Sequence, residues 1–356
     1  CLIMGIKNVG NPEASFRGKF EQTTQGRPSF TPTPPGSAAP TPPSPAPISA
    51  SGGTTFTADG YNYHVWQADS TFTVSSGGPM EIEYFLVGGG GGGSDRGLGT
   101  GGGGAGGVLT NMPLGTTTPD AGHARLGNPD FRVSPGSYTV KVGSGGVGGS
   151  DNTAGQGEPS EFYPTPVGDN HPDGLRAFGG GFGGYSTAGG IGGCGGGADN
   201  NNKAEYQPVT GPVGKAIYYP GPYAQGFPGG DGNNPGNGGG GGAGGAGQNA
   251  LPGGDGAYGG IGVKAPWCPD TYGRPGPSPG RWFAGGGGSG AGPGRPIGRG
   301  GGPGGPYAGG GDGTSQNSGT NAEDGVAGSG GGGGSGCDGN SAGAGGPGIV
   351  IIRYQN

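Results

Sequence analysis

The sequence predicts an all-β, partly irregular fold in which a small antiparallel β-sheet brackets a glycine-rich body of packed polyglycine-II helices, with essentially no α-helix. Three observations carry that prediction. The closing run Ile349-Val350-Ile351-Ile352-Arg353-Tyr354 is β-branched and reads as a strand. The run Glu81-Ile82-Glu83-Tyr84-Phe85-Leu86-Val87 places Ile82, Tyr84 and Leu86 on one face at period two and feeds directly into the glycines 88–93. Between these strands, glycine and proline recur too often for a helix to survive, with 105 and 36 of them among 356 residues.

Composition alone resembles that of a disordered chain, yet the fit is poor. Hydrophobic residues make up 28% and charged residues 11%, too little apolar surface for an ordinary core and too little charge for a self-repelling coil. Tracts such as 238–242 and 330–334 break the one-in-three glycine period of collagen. A net charge of −6 and the lack of a basic patch argue against nucleic acid as a partner. No segment has the length to insert across a membrane. The opening Cys1-Leu2-Ile3-Met4 reads either as a mature lipoprotein start or, preferably, as three residues translated upstream of Met4. Cys1, Cys194, Cys268 and Cys337 lie far apart without a Cys-x-x-Cys pair, and read as small buried residues.

Three regions are expected. Residues 1–26 form a segment of ordinary composition, too short to fold alone, whose apolar Ile3, Ile6, Val9, Phe16 and Phe20 suit docking onto another surface or assembly with another copy. Residues 27–51 are Pro-rich and form an extended spacer in the polyproline-II conformation. The glycine-rich domain occupies 52–356, with strands near 54–87, 137–142 and 349–354. The strands are expected to share one small sheet with one buried face, its closing strand (Ile349, Val350, Ile351, Ile352, Tyr354) joined by Thr71–Val74 and Ser137–Val142. An exposed terminal strand this apolar would be an aggregation hazard, so it should be paired.

Ordering a glycine costs roughly 1–2 kcal/mol of backbone entropy with no side chain to bury in return. Packing side by side in the polyproline-II conformation offsets that cost. Three residues per turn let successive N–H and C=O groups bond different neighbours, and a missing side chain permits the approach. Other residues are then confined to the rim and to the turns between tracts.

The order Thr71-Phe72-Thr73-Val74, Tyr84-Phe85-Leu86-Val87-Gly88-Gly89-Gly90, Gly102-Gly103-Gly104-Ala105-Gly106-Gly107-Val108-Leu109, Ser137-Tyr138-Thr139-Val140-Lys141-Val142-Gly143, Phe283-Ala284-Gly285-Gly286-Gly287-Gly288 and Gly345-Gly346-Pro347-Gly348-Ile349-Val350-Ile351-Ile352-Arg353-Tyr354 resembles the glycine-rich domain of tailed-phage virion proteins, common in cyanophages. Its tracts are similar to those of tail-fibre-tip adhesins with polyglycine-II packing. The resemblance implies a scaffold whose inter-tract loops contact a host receptor, at the virion surface outside the cell. The long inserts 158–178 and 200–227 and the Pro-rich spacer depart from that pattern and leave tail fibre, capsid fibre and free fibril open.

Enzyme chemistry finds no purchase in the sequence. Gly-x-Gly-x-x-Gly matches follow from glycine abundance, and none continues into Gly-Lys-Ser/Thr before a helix. His64, His123 and His171 lack metal or triad spacing, and the Asp-Gly pairs read as turns rather than calcium loops. No catalytic residue, metal or cofactor is expected. Rigidly held aromatics give contact area at low entropy cost, so Tyr206, Tyr218, Tyr219, Tyr223, Trp267, Tyr272 and Trp282 are the candidate surface contacts, although most aromatic inserts are expected to cap the glycine body. The expected function is a non-enzymatic virion appendage, a homo-oligomer whose partners are other virion proteins or copies of itself and a host receptor. The alternative is a self-assembling extracellular fibril subunit polymerising through residues 1–26.

Overall fold

A computed structural model describes residues 47–96, 100–115, 131–150, 153–165, 174–186, 188–199 and 225–356. Its first strands are β1 (Ser49–Ser51), β2 (Thr54–Ala58), β3 (Tyr61–Trp66), β4 (Ser70–Ser76) and β5 (Met80–Val87). Next come β6 (Ser94–Asp95), β7 (Val108–Thr110), β8 (Phe131–Val133), β9 (Gly136–Lys141) and β10 (Gly149–Ser150). The last are β11 (Ser160–Pro164), β12 (Leu175–Ala177), β13 (Val263–Ala265), β14 (Arg281–Phe283) and β15 (Ile349–Gln355). Among the described residues there is no α-helix, only a single 3-10 turn at Pro252–Gly254. The all-β class read from the sequence therefore holds.

Instead of the one small sheet expected, the strands form two larger sheets and two short pairs. One sheet has the order β1-β4-β9-β11-β12 and the other β2-β3-β15-β5-β7, with β8 also on β5. Thr71–Val74 and Ser137–Val142 thus belong to the opposite sheet from the closing strand. The direct partners of β15 are β3 and β5, both antiparallel, with Ile351 opposite Val65 on one side and Phe85 on the other.

Nor is the closing sheet buried on one face only. Val350, Ile352 and Tyr354 join Trp66, Phe72, Val140 and Phe162 in a cluster drawn from both sheets. Ile349 and Ile351 point the other way, into a second cluster with Val65, Phe85, Val263 and Phe283. The runs Tyr84-Phe85-Leu86-Val87 and Ile349-Val350-Ile351-Ile352 are continuously apolar because each successive side chain meets a different core. At roughly 1.5–3 kcal/mol for each large apolar side chain fully buried, this two-sided strand concentrates the hydrophobic stabilisation of the chain. The folded body also begins before the expected boundary at residue 52, since Ile48 is buried and Ser49–Ser51 pairs with β4.

The glycine tracts form a hydrogen-bonded lattice with a repeat of three. Gly88 and Gly91 donate to Gly107 and Gly104, Gly89 and Gly92 to Glu158 and Gly155, and Gly90 and Gly93 to Gly346 and Gly343. The same tract accepts bonds from Gly180 and Gly183, from Gly146 and Gly149, and from Gly333 and Gly336. Each residue in turn thus addresses a different neighbour, and the neighbours bond one another around the ring, as in Gly101 to Gly184, Gly157 to Gly180 and Gly345 to Gly146. Residues 88–94 are therefore the centre of a closed ring of six neighbouring passes. Glycine is required where the passes touch: a methyl group on Gly90 would overlap the Gly331 carbonyl, and one on Gly287 that of Gly333.

Candidate functional site

The lattice has two unlike ends. At one, the passes join the sheets: 88–94 leaves β5, 101–107 returns into β7, 143–149 leaves β9, and 342–348 returns into β15. At the other lie the turns, among whose described residues are 95–96, 100, 153–154, 185–186, 188, 231–237, 249–255, 291–297, 315–321 and 337–341. Successive passes run antiparallel, so these turns gather on one surface, away from both sheets.

That surface is polar. Its turns carry Asn233, Asn249, Gln316, Asn317, Ser318, Asn321, Asp338 and Ser341, and among the described turn residues Tyr185 is the sole aromatic. Neighbouring turns are braced by side-chain to backbone hydrogen bonds. Asn340 Nδ2 donates to Ser315 O at 3.1 Å, Asn321 Oδ1 accepts from Ser341 N at 3.0 Å, and Asn249 Oδ1 accepts from Asp231 N at 2.9 Å. Asp95 Oδ2 accepts from Ala342 N at 3.0 Å, and below these turns the Thr100 and Ser335 hydroxyls meet at 2.7 Å. A rigid lattice thus holds a mostly uncharged surface of amides and hydroxyls in place.

The aromatic candidates fall elsewhere. Trp267, Tyr272 and Trp282 sit at the sheet end, on β14 and in the connection leading to it. Trp282 is fully buried, with its Nε1 donating to Ser278 O at 2.9 Å, so it is a core residue and cannot be a surface contact. Trp267 meets Phe85 edge-on at 5.2 Å and donates from Nε1 to Pro113 O at 2.9 Å. Tyr272 stacks on Phe56 at 6.4 Å. These two cap the second apolar face of the six-stranded sheet while keeping part of their surface open. Tyr206, Tyr218, Tyr219 and Tyr223 lie outside the described residues, as do Ile3, Ile6, Val9, Phe16 and Phe20. Sequence reasoning missed the polar turn residues, whose signal was the Asn, Ser and Asp punctuation between tracts.

Two surface hollows accompany the sheets. One, of about 360 Å³, is lined by Asp69, Lys141, Glu158, Glu161 and Arg176; Glu161 is paired with Arg176 at 3.2 Å and Lys141 at 4.0 Å. The other, of about 380 Å³, lies between β1 and β2 over His64 and Tyr354. Both ring nitrogens of His64 are taken there. Nδ1 lies 2.7 Å from Gly52 O, which only accepts, so Nδ1 carries the proton, and Nε2 lies 3.2 Å from the Tyr354 hydroxyl. Burial lowers the pKa of this imidazole, against a smaller opposing effect of the Gly52 bond. It is built as a core residue rather than a general base. Among the described residues no cluster of His, Cys, Asp and Glu is arranged to hold a metal ion, and no helix is long and apolar enough to cross a membrane.

An all-β glycine-rich protein with a lattice between a sheet end and a turn surface is the class these features define. The glycine-rich domain family matches residues 66–355, and the chain belongs to that family. No curated protein and no solved structure matches it significantly.

Proposed function

We propose that this chain is a non-enzymatic structural protein of a tailed-phage virion, a surface appendage anchored through residues 1–26 and projecting its glycine-rich domain outward for host attachment. In this reading the glycine passes are polyglycine-II helices, a reading supported by the repeat of three and the ring of neighbours around 88–94. The observation that carries the proposal is the segregation of the two ends: the turns form a braced polar surface opposite the sheets, the arrangement a display scaffold requires. The ordered motifs from Thr71 to Tyr354 supply the link to phage appendages.

Deleting residues 1–26 tests the anchor. The shortened protein is expected to keep its thermal midpoint and to lose incorporation into particles; equal incorporation would sink the anchoring reading. If instead the purified full-length protein polymerises into fibrils and the deletion abolishes this, the chain is a fibril subunit. Replacing the 315–321 turn by a short Gly-Ser link tests display: the variant loses the Asn321 brace and should melt somewhat lower, and loss of binding to host cells at temperatures where it remains folded is the expected result.

A further inference from the structure

A hydrogen-bonded lattice has an edge hazard like that of a β-sheet, because its rim passes leave backbone groups without partners. The pass 143–149 shows it. Gly146 and Gly149 donate inward to Gly90 and Gly93, whereas among the described residues the N–H groups of Ser144, Gly145, Val147 and Gly148 find no partner. The rim continues from this pass through 155–158 and 179–184 to 189–193, linked by Gly155 to Val147 O at 2.8 Å, Gly157 to Gly180 O at 2.9 Å and Gly190 to Phe182 O at 2.7 Å.

Among the described residues, two large apolar side chains are exposed, and both lie on this rim: Val147 at 64% and Ile191 at 41%. Sheet edges are commonly guarded by lysine or proline. Neither 143–149 nor 189–193 contains a charged residue or a proline, and Glu158, exposed on the pass 155–158 between them, is the one charged residue of the rim.

We propose that this rim is a self-association surface, on which a second copy of the chain lays its own 143–149 and 189–193 passes, covering Val147 and Ile191. The second copy is favoured over an unrelated partner by spacing. Unpaired donors that recur with a three-residue repeat are matched by a chain in the same conformation, and the same rim on another copy supplies one. An isologous pairing of this kind closes as a dimer. The passes 143–149 and 189–193 include none of residues 1–26 and none of the turns, so the proposal stands whether or not the appendage reading does.

Sedimentation of the full-length protein over a range of concentrations tests it, beside the double variant Val147→Lys and Ile191→Lys. Both sites are exposed, so the variant should melt with the parent. The expected result is a concentration-dependent dimer whose dissociation constant rises at least tenfold in the variant. In hydrogen exchange, the amides of residues 144, 145, 147 and 148 should slow as the parent dimerises and stay fast in the variant. A parent that is monomeric at every concentration overturns the proposal, as does association unchanged by the double substitution.

Discussion

Arg353 Nε donates to Glu83 Oε2 at 2.6 Å, directly across the pairing of β15 with β5. The guanidinium also lies 4.3 Å from the Tyr61 ring centre and 5.6 Å from those of Tyr63 and Trp267. A cation held among aromatic faces and almost out of water needs its counter-ion. Glu83→Gln should therefore destabilise the protein by about 1–3 kcal/mol, below the roughly 3–5 kcal/mol of fully buried pairs because Glu83 keeps some solvent contact. Urea unfolding measures this, and an unchanged midpoint would show that the aromatic rings alone suffice.

Lattice glycines and turn glycines should respond differently to a methyl group. At Gly287 the added carbon overlaps a carbonyl of the next pass, whereas at Gly292 the nearest atom is Arg295 Cγ at 3.6 Å. Gly287→Ala is expected to lower stability by several kcal/mol, in the range of overpacked cores or above it. Gly292→Ala should stay within about 0.5 kcal/mol of the parent. Equal thermal midpoints for the two variants would mean that the lattice yields where it is drawn as close-packed.

Acidification should weaken the fold through His64. Its folded pKa lies below the ordinary 6.5 because burial disfavours the cation. Below pH 6.5 the unfolded chain therefore takes up a proton that the folded chain refuses, and stability falls with falling pH; above that value the contribution is flat. Between pH 6.5 and 5 the parent should lose stability more steeply than His64→Phe. Parallel slopes would assign the loss to other groups.

The described thiols should be inert while the protein is folded. Burial pushes Cys194 and Cys268 up to about 12 and Cys337 up to about 11, and the thiolate is the reactive form. Iodoacetamide at pH 8 should leave all three unmodified in the native protein and alkylate them in denaturant, as mass spectrometry of peptides would show. Native labelling of Cys337 would reveal local opening at the turn surface.

Ile351→Asp should loosen far more than the final strand. Its side chain is 1% exposed and lies in the same cluster as Phe85, Ala105 and Phe283, from which the central glycine passes depart. Hydrogen exchange should accelerate throughout 88–107 and 343–348 as well as in β15. Acceleration confined to β15 would show that the lattice holds without its sheet.

Much of this architecture was legible because period-two patterning is local. Ile82, Tyr84 and Leu86 announce β5, and Tyr138 and Val140 announce β9. The division into two sheets was not legible, since pairing Thr71 with Thr139 and Ile351 with Val65 and Phe85 depends on contacts distant in sequence. The two-sided burial of β15 did leave a trace in the unbroken run Ile349-Val350-Ile351-Ile352, which a one-faced strand has no reason to carry. For the surface, aromatic residues drew attention that their positions do not support in the case of Trp282. Its neighbour Phe283, separated by one residue from the glycines at 285–288, marks the sheet end of a pass. The turn surface is written in Asn, Ser and Asp, residues that chain reversal alone would also select, so composition could not separate display from turning.

The position of β15 also sets a timetable. It lies between β3 and β5, and its bond from Arg353 to Glu83 spans 270 residues. The six-stranded sheet lacks its middle until residues 349–355 have been made, and β3 and β5 wait with unmatched inner edges throughout synthesis of the glycine passes. Loop closure over such distances is slow, so the glycine passes should set only once β15 has closed the sheet between β3 and β5.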